Sequence, residues 1–480
     1  MEKTKILWVY ALTVVFLAVN FYLVVNKDVY WLFLLPVALI VLYYYLVALD
    51  KVLLFITFFT PLAVNIRDLD MGLGVSLPTE PLMFGVLVIF IANLLVDHKK
   101  YDIRVSNHPI SYIIYFGLFW MLLTTLTSEM PLVSVKYFIS RLWFVVPFYF
   151  IAALMFKEKA YIKKFFWLYI LAFIIVIFYT ISVHAKYNFD EETGHWVMSP
   201  FYNDHTAYGA ALAMYFPVII GFIFYPGARR WVRAMSVVVL LIFIAAIILS
   251  YSRAAWLSLG AAIGVFVLIL LRIKFKWILL ATVVLVTLFF TFQSQIFDKL
   301  EKNKTESSRN FVEHIESMSN ISSDASNLER INRWQSALRL FRDRPVFGWG
   351  PGTYQFVYAP YQRSKEKTII STNLGDKGNA HSEYLGPLAE EGLPGSLIVL
   401  ILVGVVIYTG IKVFIKTKDI EVKFLSMMAL LGLITYFAHG FLNNFLDTDK
   451  LSVPFWGFIA ILVALDVYHL SESEKQHKIV

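Results

Sequence analysis

Arg253 lies in the run Leu249-Ser250-Tyr251-Ser252-Arg253-Ala254-Ala255-Trp256, at the edge of a long apolar segment, and Arg141 lies about one turn inside another. A charge in or beside hydrocarbon is costly and is a functional candidate by default. For Arg253 the competing explanation is an interfacial arginine snorkelling to lipid phosphates. For Arg141 it is a structural ion pair. Arg330 and Arg333, three residues apart, share one face of an expected helix, which a solvated charged face would equally explain. His381 reads as the first residue of a further helix, where the positive end of the dipole disfavours imidazolium and leaves a neutral ring able to accept a proton. A lone histidine is nevertheless more often structural. The turn Gly348-Trp349-Gly350-Pro351-Gly352 could present backbone N–H groups to a phosphate, although it is neither a Walker nor a dinucleotide motif. His205, beside Asp204 at the mouth of a span, is a weaker second histidine candidate. Asp447-Thr448-Asp449 invites a metal reading of the nucleotide-sugar-transferase kind, which an outer placement argues against. No serine–histidine–acid set or zinc spacing stands out. The chain has no cysteine, which excludes disulfides and thiolate metal sites.

These residues need elements to hold them. Of the 480 residues 59% are apolar, and the charges gather in short clusters between apolar runs of about twenty residues, the length that crosses a bilayer. The expected fold is an all-α polytopic membrane protein of 12–14 transmembrane helices with one large, mostly helical loop. Fourteen candidate segments fall near 6–25, 29–47, 52–66, 81–96, 110–128, 137–156, 165–182, 207–225, 235–250, 254–271, 277–292, 394–415, 424–445 and 454–470. The third, fourth and ninth are short for a span. Ile6–Val25 lacks a signal-peptide cleavage pattern and reads as a retained helix. With a cytoplasmic N-terminus, every second connection is basic: Lys51; His98, Lys99, Lys100 and Arg104; Lys157, Lys159, Lys163 and Lys164; Arg229, Arg230 and Arg233; Arg272, Lys274 and Lys276; Lys416, Lys418 and Lys423; Lys475 and Lys478. The opposite connections carry Asp28, Asp68, Asp70, Glu129, Asp190 to Glu192, Asp447 and Asp449. The positive-inside rule accounts for this alternation, and for the net charge of +8 without a nucleic-acid partner.

The organisation that follows is 1–293 as N-terminal membrane helices, 294–393 as a large outer loop, and 394–480 as C-terminal helices with a short cytoplasmic tail. The loop balances 13 basic against 13 acidic residues, so it is not a polyanion-binding tail. Glu301 to Ser326 is polar and Ser/Asn-rich and is expected to be mobile. From Asn327 a cap, the stripe Leu328, Ile331, Trp334, Leu338 and Phe341, and Pro345 as a stop describe an amphipathic helix.

In this order the motifs resemble the O-antigen ligase and polymerase superfamily. The resemblance is carried by Ser252-Arg253-Ala254-Ala255-Trp256-Leu257, by Arg330 four residues before Trp334, by Arg344 to Gly352, and by Ala380-His381-Ser382-Glu383-Tyr384-Leu385 continuing to Glu390-Glu391-Gly392-Leu393-Pro394-Gly395. It covers roughly 235–470. Ser382 stands where the family often has Asn, and about a dozen spans are usual. The resemblance implies a membrane glycosyltransferase of the bacterial inner membrane, with both termini cytoplasmic and the large loop periplasmic. Its donor would be a glycan on undecaprenyl diphosphate and its acceptor a hydroxyl on lipid A-core or another glycan, with no cofactor and no metal. His381 would be the catalytic base, and Arg253 and Arg330 would bind the diphosphate with help from Arg141 and Arg333.

The ligase reading is preferred because one loop is much larger than the rest, whereas polymerases tend to present two sizeable basic outer loops. A polymerase and a protein O-oligosaccharyltransferase are the alternatives within the superfamily. A polysaccharide transporter or flippase is the alternative from another class. It predicts inverted repeats and mid-membrane ionisable residues, neither of which is evident.

Overall fold

The computed structural model describes residues 2–66, 75–96, 101–273, 325–367, 371 and 378–470. The expected span at 277–292, most of the stretch Glu301 to Ser326, and Asp68, Asp70, His98 to Lys100, Lys274, Lys276, Lys475 and Lys478 lie outside those residues. So does the side chain of Asn327.

Two compact units are defined, Met1–Leu53 and Leu54–Val480. The first holds α1 (Glu2–Lys27) and α2 (Leu34–Val47). The second begins within α3 (Leu49–Phe59) and continues through a two-stranded antiparallel hairpin, Val64–Ile66 with Val75–Leu77. Its long helices are α4 (Thr79–Val96), α5 (Pro109–Leu126), α6 (Pro131–Val145), α7 (Lys159–Ala185), α8 (His205–Phe224), α9 (Arg230–Leu249) and α10 (Arg253–Leu270). The loop contributes α11 (Ala325–Asp343) and the short α12 (Leu385–Glu390). Then come α13 (Gly392–Lys416), α14 (Ile420–His439) and α15 (Asp449–Ala464).

Among the described residues eleven helices are long and apolar enough to cross a bilayer. The second and third expected spans count as one at most. Their helices break at Ala48, whose φ −147 and ψ 61 are not helical, and they pass the length and hydropathy test only together. The fourth span, short in the sequence, is a full 18-residue helix. Helix α6 runs on through a π-helical turn at Val146–Ile151, where Pro147 removes an amide from the ladder. The chain is an all-α polytopic membrane protein.

Helix α15 is the axis of the second unit: 94% of its spanning window is buried by protein, against 22% for α10 and α13. Close packing around it depends on small residues, as expected where lipid supplies no hydrophobic drive between helices. A Cβ on Gly432 would lie 2.5 Å from the Phe458 ring and 2.7 Å from the Met214 carbonyl. Gly432→Leu is therefore expected to destabilise the bundle by about 1–3 kcal/mol, read as a lower Tm in detergent.

Side-chain contacts tie together connections that are far apart in sequence. Lys159 pairs with Asp419 at 2.9 Å, Lys163 with Glu421 at 2.9 Å, and Asp466 takes both His108 and Lys412. Arg344 pairs with Glu129 at 2.7 Å, Tyr251 Oη donates to the Phe189 carbonyl, and Lys450 Nζ donates to the Thr60 and Ala63 carbonyls.

The buried face of α11 differs from the expected apolar stripe. Glu329, Asn332, Arg333, Ser336, Ala337 and Leu340 are buried, while Leu328 is exposed. The polar members pair inside the loop: Arg333 Nε reaches Glu329 at 2.8 Å, and Asn332 Nδ2 reaches Gln362 Oε1 at 2.7 Å. Ala337 and Leu340 then pack against Tyr354, Tyr358, Ala380 and Ala389. A polar network thus sets the face, not the apolar periodicity.

Candidate active site

The site is organised by the loop between α14 and α15. Asn443 and Asn444 follow the helix end, and the next helix opens at Thr448, so the intervening carbonyls are free of helical bonds. Arginines take them. Arg330 Nε donates to the Leu442 carbonyl at 3.3 Å and Arg141 Nη1 to the Leu446 carbonyl at 3.1 Å. Glu383 holds the same loop from across the chain: its Oε1 accepts from the Phe445 N–H at 2.8 Å, the Leu446 N–H at 3.0 Å and the Tyr436 hydroxyl at 2.6 Å. Asn379 Nδ2 adds a bond to the Asn444 carbonyl at 3.1 Å. Residues 379–384 are thereby strapped to 440–446.

His381 sits on that strap. It does not begin a helix: it adopts φ +48, four residues before α12, a conformation unusual outside glycine. Its N–H donates to Asn379 Oδ1 at 3.1 Å, and its carbonyl accepts from Trp334 Nε1 at 3.2 Å. The side-chain amide of Asn443 lies beside the His381 ring. That amide's Nδ2 also lies 3.1 Å from His439 Nε2. Burial first, then the Arg333 and Arg330 charges, push the His381 imidazolium down to about 3. The ring is neutral at physiological pH as expected, but the cause is burial beside arginines rather than a helix dipole.

The remaining arginines take distinct places. Arg253 is half-buried at the first position of α10, a helix packed against α14. His439 feels Arg330, Asp204 and His205. His205 stacks on His195 with ring centroids 4.2 Å apart, and Asp204 caps α8 through the Thr206 and Ala207 N–H groups. Arg333 is buried: besides Glu329 it reaches the Asn379 carbonyl at 3.0 Å and lies over the Tyr358 ring. Arg141 bonds the Tyr137 hydroxyl at 2.7 Å and lines a cavity of about 750 Å³. His381 and the other three arginines are not among its lining residues.

The glycine-rich turn does not offer its amides to a phosphate. Trp349 and Gly350 N–H groups go to the Ala389 and Glu390 carbonyls, and the Gly352 and Tyr354 N–H groups go to the Glu390 carboxylate, both at 2.9 Å. The turn is a clamp that fastens the loop to α6. A Cβ on Gly350 would lie 2.0 Å from Ser128 Oγ, and one on Gly392 would lie 2.1 Å from the Val346 carbonyl. Asp449 of the Asp447-Thr448-Asp449 run accepts from Thr79 Oγ1 at 2.6 Å, and Asp447 lines the cavity.

Sequence reading missed His439, Asn443, Glu383 and Glu390 as parts of the site. The available signal was Asn443-Asn444, two amides inside one of the shortest connections between apolar spans.

Fold and hydropathy together define a multi-pass α-helical membrane protein. Residues 238–400 match the family model described as O-Antigen ligase, so over that segment the resemblance drawn from the motifs is borne out. The segment contains Arg253, Arg330, Arg333 and His381; Arg141 and the loop at 440–448 lie outside it. An uncharacterized protein of Haemophilus influenzae is 25% identical over 203 residues, which is 41% of this chain and 48% of the relative. The chain thus spans about half the length of the curated relative it matches.

Proposed function

We propose that this protein transfers a glycan from undecaprenyl diphosphate to an acceptor hydroxyl at the periplasmic face of the bacterial inner membrane, as an O-antigen ligase acting on lipid A-core. The observation that supports it best is a neutral, half-buried imidazole, His381, lying within the field of Arg330, whose Nε is held by the loop between α14 and α15. On this reading the face bearing that loop is periplasmic, and the face with Lys159, Lys163 and Lys412 is cytoplasmic.

The donor arrives with its sugar already activated. The C1–O bond breaks and its electron pair leaves on the diphosphate, whose charge grows in the transition state. Arginine forks suit those oxygens, since they bind them bidentately and stay charged beside hydrocarbon. Arg330 and Arg253 carry that role. Arg333 acts through Asn379, holding the strap that orients His381. The acceptor hydroxyl bonds to C1 as His381 takes its proton, and direct attack inverts the anomeric centre. This chemistry needs neither metal nor nucleotide.

Because the histidine pKa is depressed, the pH–rate profile is expected to show no acid-side inflection at the ordinary value of 6.5 and to fall only toward about 3. An inflection near 6.5 that His381→Gln abolishes would place the base in water instead. In a deletion strain the ligase reading expects bare core with lipid-linked polymer accumulating. Core carrying a single repeat would identify a polymerase.

A further inference from the structure

The 750 Å³ cavity has a charge balance that does not suit the donor. Five carboxyl groups line it, those of Glu80, Glu383, Glu390, Glu391 and Asp447, against the two cations Lys136 and Arg141. A diphosphate would find only those two cations among five carboxyl groups. Its unmet groups are of another kind. Glu391 is 7% exposed, faces the cavity, and its carboxyl makes no hydrogen bond among the described residues. The lining also carries the amide side chains of Gln355, Asn379 and Asn444 beside the rings of Tyr137, Trp143 and Trp456. Neutral donors and acceptors beside aromatic rings match sugar hydroxyls and C–H faces. Toward α5 and α13 the wall is apolar, and Ile113 and Ile398 are shared with an adjoining apolar groove of about 400 Å³ between those helices.

We infer that this cavity is a binding site for the sugar head of an amphipathic ligand, with Glu391 hydrogen-bonded to a sugar hydroxyl and the apolar tail leaving between α5 and α13. Assigning that ligand as the acceptor rests on the transfer reading; the binding itself does not. Ala380 and Ser382, which flank His381, line the cavity, so a sugar held there lies beside the strap that carries the base. Burial and the neighbouring Glu390 push the Glu391 carboxyl up to about 8, which keeps it a hydrogen-bond donor at neutral pH.

The test is photo-labelling of the full-length protein in nanodiscs with a diazirine-tagged dodecyl maltoside, mapped by peptide mass spectrometry. Label is expected in α6 and α13, displaced by dodecyl maltoside but not by dodecylphosphocholine or farnesyl diphosphate. Glu391→Leu is expected to weaken labelling by about fivefold and Glu391→Gln by less than about twofold, the effect of one hydrogen bond. Displacement by dodecylphosphocholine would make the cavity a slot for bilayer lipid, and displacement by farnesyl diphosphate would make it a donor site. Either result overturns the inference, and the wild-type competition gives it whether or not the Glu391→Leu variant folds. Labelling is read without turnover. If it holds while no transfer is ever detected, the site stands and the transfer reading falls.

Discussion

Replacing His381 with alanine is expected to lower glycan transfer by about 10²–10⁴-fold, the usual contribution of a general base, while donor binding stays near wild type. The ring meets the requirements of a base in a setting that few side chains could fill. A carboxylate there would face the arginine charges and be stripped of its basicity by them. An imidazole surrounded by the same charges simply remains neutral, with its proton count set by burial. The positive φ at His381 is held from outside through its backbone, by Asn379 on its N–H and Trp334 on its carbonyl, so the variant keeps the strap and loses only the ring. Equilibrium binding of a fluorescent prenyl-diphosphate glycan separates the two effects. Loss of binding together with transfer would make His381 a structural residue.

The second large effect is expected at Arg330. Its Nε is fixed to the Leu442 carbonyl, which aims the planar fork and leaves the geometry of its Nη atoms determined by the loop. Lysine keeps the charge but cannot hold the carbonyl and clamp a diphosphate at once. Arg330→Lys is expected to cut transfer by about 10²-fold, the scale of one or two lost charge-assisted hydrogen bonds in a transition state. Arg253→Lys is expected to be impaired in the same direction. Transfer by Arg330→Lys equal to wild type would mean that the charge alone matters, and that Arg330 serves the loop rather than the donor. Arg333→Lys offers a control: with its partners Glu329, Asn379 and Tyr358 all protein groups, its loss should appear first as a lower Tm.

The membrane helices were legible because hydrocarbon thickness imposes a length and forbids unpaired charges, and both leave marks in consecutive residues. The break at Ala48 was not, since an apolar run reads the same whether its helix is straight or broken. His381, Arg253 and Arg330 could be singled out as residue types in a telling order. Their common support could not, because Leu442, Asn443 and Leu446 act through a carbonyl, an amide and a carbonyl at positions 62 to 305 residues from their partners. The face of α11 was misjudged for a related reason. Glu329, Asn332 and Arg333 look solvent-exposed by type and become buried only because each meets a partner inside. In the same way the glycine-rich turn reads as an anion nest until Glu390, nearly forty residues on, supplies the anion itself.

The most direct test of direct transfer to a hydroxyl activated by His381 is a single-turnover reaction of the purified protein in nanodiscs. The donor is a prenyl-diphosphate glycan of known anomeric configuration, EDTA is present, and the linkage formed is read by NMR. The account predicts product with the anomeric centre inverted and none from His381→Ala. A retained centre, or product that forms only when a divalent metal is restored, would contradict it.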